Sequence, residues 1–148
     1  MKKINSERSK EEIYKKDLKI LLDIKKSVGL LNNAIHDKSA LIAISILEKK
    51  YPDFKFSYYG AGVRGNDLVG KRGSKIELVA EIKTTTIESG TTLMSPQLSN
   101  IKKDLIRLNS LDIKYKYFII VSEKVEKEIK RRLDFKTDFK DINILNII

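Results

Sequence analysis

Three residues have the type and spacing to do chemistry together: Asp67, Glu81 and Lys83. Glu81 and Lys83 flank Ile82 in the apolar run Leu78-Val79-Ala80-Glu81-Ile82. An acid in such a setting needs a cation or a metal as partner. Asp67 precedes a short strand-like run, and the turn Lys71-Arg72-Gly73-Ser74 connects that run to the one carrying Glu81. A turn centred on 72–74 places residue 67 opposite residue 79. Cross-strand partners share a face, and so do residues two apart. Asp67, Val79, Glu81 and Lys83 then lie on one face, and Leu68, Leu78, Ala80 and Ile82 form a wholly apolar face for the core. Diagonal neighbours lie roughly 7–8 Å apart, close enough for two carboxylates to grip one cation. A one-residue slip would break this grouping.

The chemistry this allows is hydrolysis of a phosphodiester. A divalent ion held by two carboxylates polarises the phosphate and lowers the pKa of its bound water. Lys83 beside it is placed to orient that water and to stabilise charge on the phosphate. The backbone carbonyl of Ile82 is a candidate for a further ligand. Cysteine is absent, which excludes disulfides, thiolate nucleophiles and Cys-based zinc sites. The single His36 cannot build a multi-histidine site. Oxygen ligands favour Mg²⁺, with Mn²⁺ as an alternative.

The elements that must position these residues can be read from the hydrophobic pattern. Residues 6–28 read as a helix capped by Ser6 or Ser9, with a broken apolar stripe of Ile13, Leu18, Leu21, Leu22 and Ile24, ending at Gly29. A second helix is expected over 38–50, where small Ala40, Ala43 and Ser45 permit close approach to a sheet. Strands follow at 54–59, 66–70 and 75–84, then a helix at 97–108, a buried strand at 114–122, a helix at 123–133 and an edge strand at 142–148. The order ααβββαβαβ implies an α/β fold with a mixed sheet flanked by helices. One domain is expected over 1–148, made of an N-terminal basic helical arm, 1–33, and a core, 34–148.

Two glycine motifs are weaker than they look. Gly60-Ala61-Gly62-Val63-Arg64-Gly65 matches a dinucleotide fingerprint, but the sequence continues as a strand where a helix must open. Gly65 to Lys71 resembles a phosphate loop, but Arg72 stands where Ser or Thr must bind Mg²⁺. No nucleotide cofactor is expected.

Gly65-Asn66-Asp67, followed after an interval by Glu81-Ile82-Lys83, resembles the PD-(D/E)xK nuclease superfamily, with Asn66 in place of the family's proline. The flanking helices and the buried strand resemble that family's core over about residues 35–125. The resemblance implies a restriction endonuclease-like fold, with Asp67 and Glu81 as metal ligands and Lys83 as the catalytic lysine. Many members add a glutamate from the preceding helix, for which Glu48 is the candidate, although a solvated helix end explains it as well. Gln97 is the candidate for a glutamine that some members bring from the following helix; the alternative is a surface residue at a helix start.

Thirty Lys and Arg against twenty Asp and Glu give a net charge of +10, which fits double-stranded DNA as partner. Candidate DNA contacts are Arg64 in the glycine loop, Lys71, Arg72 and Lys75 at the hairpin tip, and Thr84, Thr85 and Thr86 after the motif. The polar loop 86–95 either reads bases or is a connector. Lys10, Lys15, Lys16, Lys19, Lys25 and Lys26 make the first helix basic. Leu41, Ile42, Ile44, Ile46 and Leu47 cover more than one face of the second helix, so part of it is a candidate interface.

A duplex break needs two centres, so a homodimer or homotetramer is expected. No apolar run reaches membrane-span length and no long apolar segment follows Met1-Lys2-Lys3, so a soluble, intracellular, cytoplasmic protein is expected, without membrane contact. The leading expectation is a sequence-specific double-strand endonuclease of restriction or homing type. The alternatives are a Holliday junction resolvase and a non-catalytic DNA-binding module.

Overall fold

Alternating apolar residues around one polar turn make the hairpin on which the site depends. In the computed structural model, the chain forms helix α1 (Lys2–Lys50), strands β1 (Lys55–Tyr58), β2 (Leu68–Arg72) and β3 (Lys75–Lys83), helix α2 (Ser95–Asn109), strand β4 (Tyr115–Ile120), helix α3 (Glu123–Arg132) and strand β5 (Ile142–Asn146). The structure describes residues 2–60 and 62–148, and the side chains of 15, 18–24, 26–60 and 62–148. The strands form one mixed sheet in the order β1-β2-β3-β4-β5. β1, β2 and β3 are antiparallel, whereas β4 lies parallel to both β3 and β5.

The hairpin register differs from the simple expectation. Gly73, at φ 61, takes the left-handed turn position, and Arg72 pairs with Lys75 and Lys71 with Ile76. Continued unbroken, that register would set Asp67 against Ala80 and turn it to the wrong face. A bulge between Gly70 and Lys71 shifts the ladder by one residue, so that Gly70 pairs with Leu78, Val69 with Val79 and Leu68 with Ala80. The next position outward sets Asp67 against Glu81, two residues beyond the expected partner and on the expected face.

Two cores sandwich the sheet. Ala40, Ala43 and Leu47 of α1 pack on Leu68, Leu78, Ala80, Ile82, Tyr117 and Ile119. The 0% exposure of Ala40 and Ala43 bears out their expected role in close helix–sheet approach. On the opposite face, Val69, Val79, Phe118 and Ile120 pack on Ile101, Leu105 and Leu108 of α2 and Val125 and Ile129 of α3. The face carrying Glu81 is therefore itself a core face, and the polar residues occupy only one end of it. Pro96 and Gln97 start α2, with Gln97 Oε1 accepting the Met94 N–H at 3.0 Å. At its other end, buried Lys116 of β4 donates to the Asn109 carbonyl at 2.8 Å and complements the helix dipole.

The expected break at Gly29 does not occur, and one helix replaces two. A lone glycine costs a helix about 1 kcal/mol, which Leu30, Leu31 and Ala34 beyond it can offset, and no proline interrupts 30–50. Ser6 and Ser9 lie inside the helix rather than at its cap; their side chains, and those of Ile13, Lys10, Lys16 and Lys25, lie outside the described residues. The chain divides into two units, 1–34 and 35–148. In the first, every described side chain is exposed. Among the described residues no helix is long and apolar enough to cross a membrane.

Candidate active site

The C-terminal end of β3 brings Glu81 and Lys83 to one place, and the bulge brings Asp67 to them. Ile82, between them, donates its backbone N–H to Asp67 Oδ2 at 2.8 Å, which fixes the aspartate against the strand. Glu81 is 7% exposed. Burial and then the charge of Asp67 push its carboxyl up to about 7, against the pull of Arg107. Raised acids of this kind mark sites where two carboxylates compete for one environment.

Helix α2 answers each member of the Glu-x-Lys pair with the opposite charge. Arg107 Nη2 pairs with Glu81 Oε1, and Lys83 Nζ pairs with Asp104 Oδ2. Asp104 and Arg107 are three residues apart and so share one helix face. Arg107 also donates from Nη1 to Asn66 Oδ1 at 3.3 Å and to the Gly65 carbonyl at 3.4 Å, clasping the loop that introduces Asp67. From α1, His36 Nε2 lies 3.4 Å from Asp67 Oδ1; this imidazole is 8% exposed and its Nδ1 is buried without a hydrogen-bond partner.

His36, Asp104 and Arg107 lie at the site without a clear signal in the sequence. One histidine cannot make a multi-histidine site, yet His36 stands beside a carboxylate. Asp104 and Arg107 look like an ordinary solvated helix pair in sequence. Their signal is that both fall on the helix expected just after the hairpin, spaced as Glu81 and Lys83 require.

Glu48 and the hairpin-tip residues lie apart from the trio, whereas Ile82 and Thr84 adjoin it in the chain. Glu48 is exposed and lies twelve residues beyond His36 on α1, roughly 18 Å along the axis. Gln97 is engaged as the cap of α2. Ile82 contributes its N–H to Asp67. Lys71, Arg72 and Lys75 sit at the hairpin tip, eight residues of strand from Lys83, roughly 26 Å away. There Arg72 lies 4.9 Å from the Phe54 ring centroid and 3.9 Å from Glu77. Arg64 is exposed in the loop before Asp67, and Thr84, Thr85 and Thr86 follow Lys83 directly, with Thr84 and Thr85 half-buried. The glycine segment opens no helix: 62–67 form turns and bends that lead into β2, and Ala61 lies outside the described residues.

Asp67 and Glu81 are the groups able to hold a cation. Among the described residues no cluster of three or more His, Cys, Asp or Glu side chains forms a ready metal cage. Two neighbouring carboxylates could hold a hard divalent ion that keeps most of its positions for water and substrate oxygens. Glu81, buried beside a second acid, is in the electrostatic state that such an ion relieves. No protein-family model, curated protein or solved structure matches the chain.

Proposed function

We propose that this protein is a Mg²⁺-dependent, sequence-specific double-stranded DNA endonuclease of the PD-(D/E)xK type, with a restriction endonuclease-like core. The observation that carries the reading is Asp67 bound to the Ile82 N–H between Glu81 and Lys83, at one end of a sheet covered by helices on both faces. When bound, the ion would supply Lewis-acid activation of the phosphate and of water. Asp67 and Glu81 would hold it. Lys83 would position the attacking water and stabilise the developing charge on the phosphate. Mn²⁺ would serve in place of Mg²⁺.

A net charge of +10 supports a polyanionic partner. Arg64 and Thr84 to Thr86 would take the backbone near the reacting phosphate. Lys71, Arg72 and Lys75 would take it less than one duplex turn away, and the 86–95 loop, exposed except at Ile87 and Leu93, would read bases. A double-strand break needs two centres, and the first unit offers a surface for a second copy of the chain. At 100° per residue, Ile20, Leu21, Ile24, Val28 and Leu31 fall within an arc of about 100°. Each is at least 50% exposed. Lys15, Lys19 and Lys26 fall on the opposite side of the helix.

The experiment is digestion of supercoiled plasmid and of a four-way junction with purified protein, in Mg²⁺ and in EDTA. Discrete plasmid fragments, made only in Mg²⁺, are expected. Cutting of the junction alone would assign the core to junction resolution. Binding of DNA without cleavage in Mg²⁺ or Mn²⁺ would make the protein a DNA-binding module.

A further inference from the structure

Arg107 holds one of the two carboxylates that the proposed chemistry gives to a divalent ion. Its guanidinium touches Glu81 on one side and the Gly65–Asn66 segment, next to Asp67, on the other. The Asp67 carboxylate itself accepts from the Ile82 N–H and lies beside His36. The Arg107 side chain is 42% exposed, whereas that of Glu81 is 9% exposed. Lys83, the other cation at the site, is held by Asp104.

We propose that Arg107 is the resident counter-ion of the site, which yields Glu81 to an incoming divalent cation and then binds the DNA phosphate. The inference rests on the reading of Asp67 and Glu81 as ion ligands. Glu81 cannot give the same oxygen to a guanidinium and to a divalent ion at full strength, so the two compete. A guanidinium released from a carboxylate presents a planar fork of donors whose geometry matches a phosphate. The segment it leaves contributes one carbonyl and one amide oxygen, weaker acceptors than a phosphate. The exchange keeps positive charge at the site when the carboxylates become committed to the ion. No bond is made or broken in it, and the guanidinium stays protonated throughout.

The test is calorimetric titration of the full chain with CaCl₂ alone, without DNA, for wild type, Arg107→Gln and Asp67→Asn. Fluorescence anisotropy of a labelled duplex in Ca²⁺ follows. Removal of a competitor should tighten Ca²⁺ binding by about threefold or more in Arg107→Gln. The same variant should bind the duplex about fivefold or more weakly in Ca²⁺. Arg107→Lys, which keeps the charge and is the safer variant for folding, should change both quantities in the same direction by less. Unchanged or weaker Ca²⁺ binding in both variants, with wild type binding Ca²⁺ and Asp67→Asn not, would overturn the proposal and leave the ion site standing. Failure of wild type itself to bind Ca²⁺ would remove the ion site and the proposal together.

Discussion

At the scale of single residues, the electrostatics centre on Glu81. Burial raises its carboxyl to about 7 first, and Asp67 adds to the rise. A raised acid favours folding while it is protonated. Its contribution is fully present below the unfolded value of 4.5 and is lost as pH rises towards 7. In EDTA, the thermal midpoint of the wild-type protein should therefore fall between pH 5 and 7 relative to Glu81→Gln, whose difference from wild type should vary across that window. A difference that stays constant from pH 5 to 7 would show that Glu81 is not held in this raised state. The trio was legible in sequence because a Glu-x-Lys in an apolar strand is chemically odd. The partners His36, Asp104 and Arg107 were not, because one histidine and two helix charges are unremarkable until the fold sets them against Asp67, Lys83 and Glu81.

At the scale of elements, the bulge at Gly70 and Lys71 decides which face Asp67 occupies. Gly70 is glycine for a steric reason: an added Cβ would lie 2.7 Å from Phe56 Cε1 and 3.1 Å from both Leu78 Cβ and Phe54 Cδ2. Gly70→Ala should cost about 1–3 kcal/mol in urea unfolding, because the rings and the bulge must shift to accept the methyl group. A loss below about 0.5 kcal/mol would mean that the aromatic cover is loose there. The order of strands was readable from the apolar runs, and the shared face of Leu78, Ala80 and Ile82 from alternation within β3. The bulge was not, since nothing in Gly70-Lys71 separates it from an ordinary strand residue pair. The helix pattern misled at Gly29 for the opposite reason: glycine weakens a helix without necessarily ending it, and only the absence of proline beyond it hinted at one continuous α1.

At the scale of the whole molecule, three properties stand out: one two-faced sheet with charged residues at one end, a large positive charge, and an exposed apolar arc at 20–31. The arc predicts self-association. Light scattering after size exclusion should place the wild-type chain at twice its 17.0 kDa mass or more. Val28→Asp combined with Leu31→Asp should return it to one chain while leaving the circular dichroism of the sheet unchanged. A wild-type protein that stays at one chain at tens of micromolar would remove the arc as an interface. The surplus of basic residues was readable from composition, but the distance of Lys71, Arg72 and Lys75 from Lys83 required the fold.

The proposed function requires that Asp67, Glu81 and Lys83 form a centre that cuts phosphodiesters. The most direct measurement is the Mg²⁺-dependent cleavage rate of plasmid by wild type and by Lys83→Ala, with duplex affinity measured in parallel in Ca²⁺. The account predicts cleavage by wild type and a loss of about 100-fold or more in Lys83→Ala, with duplex affinity within about threefold of wild type. Equal cleavage rates in the two proteins would contradict it.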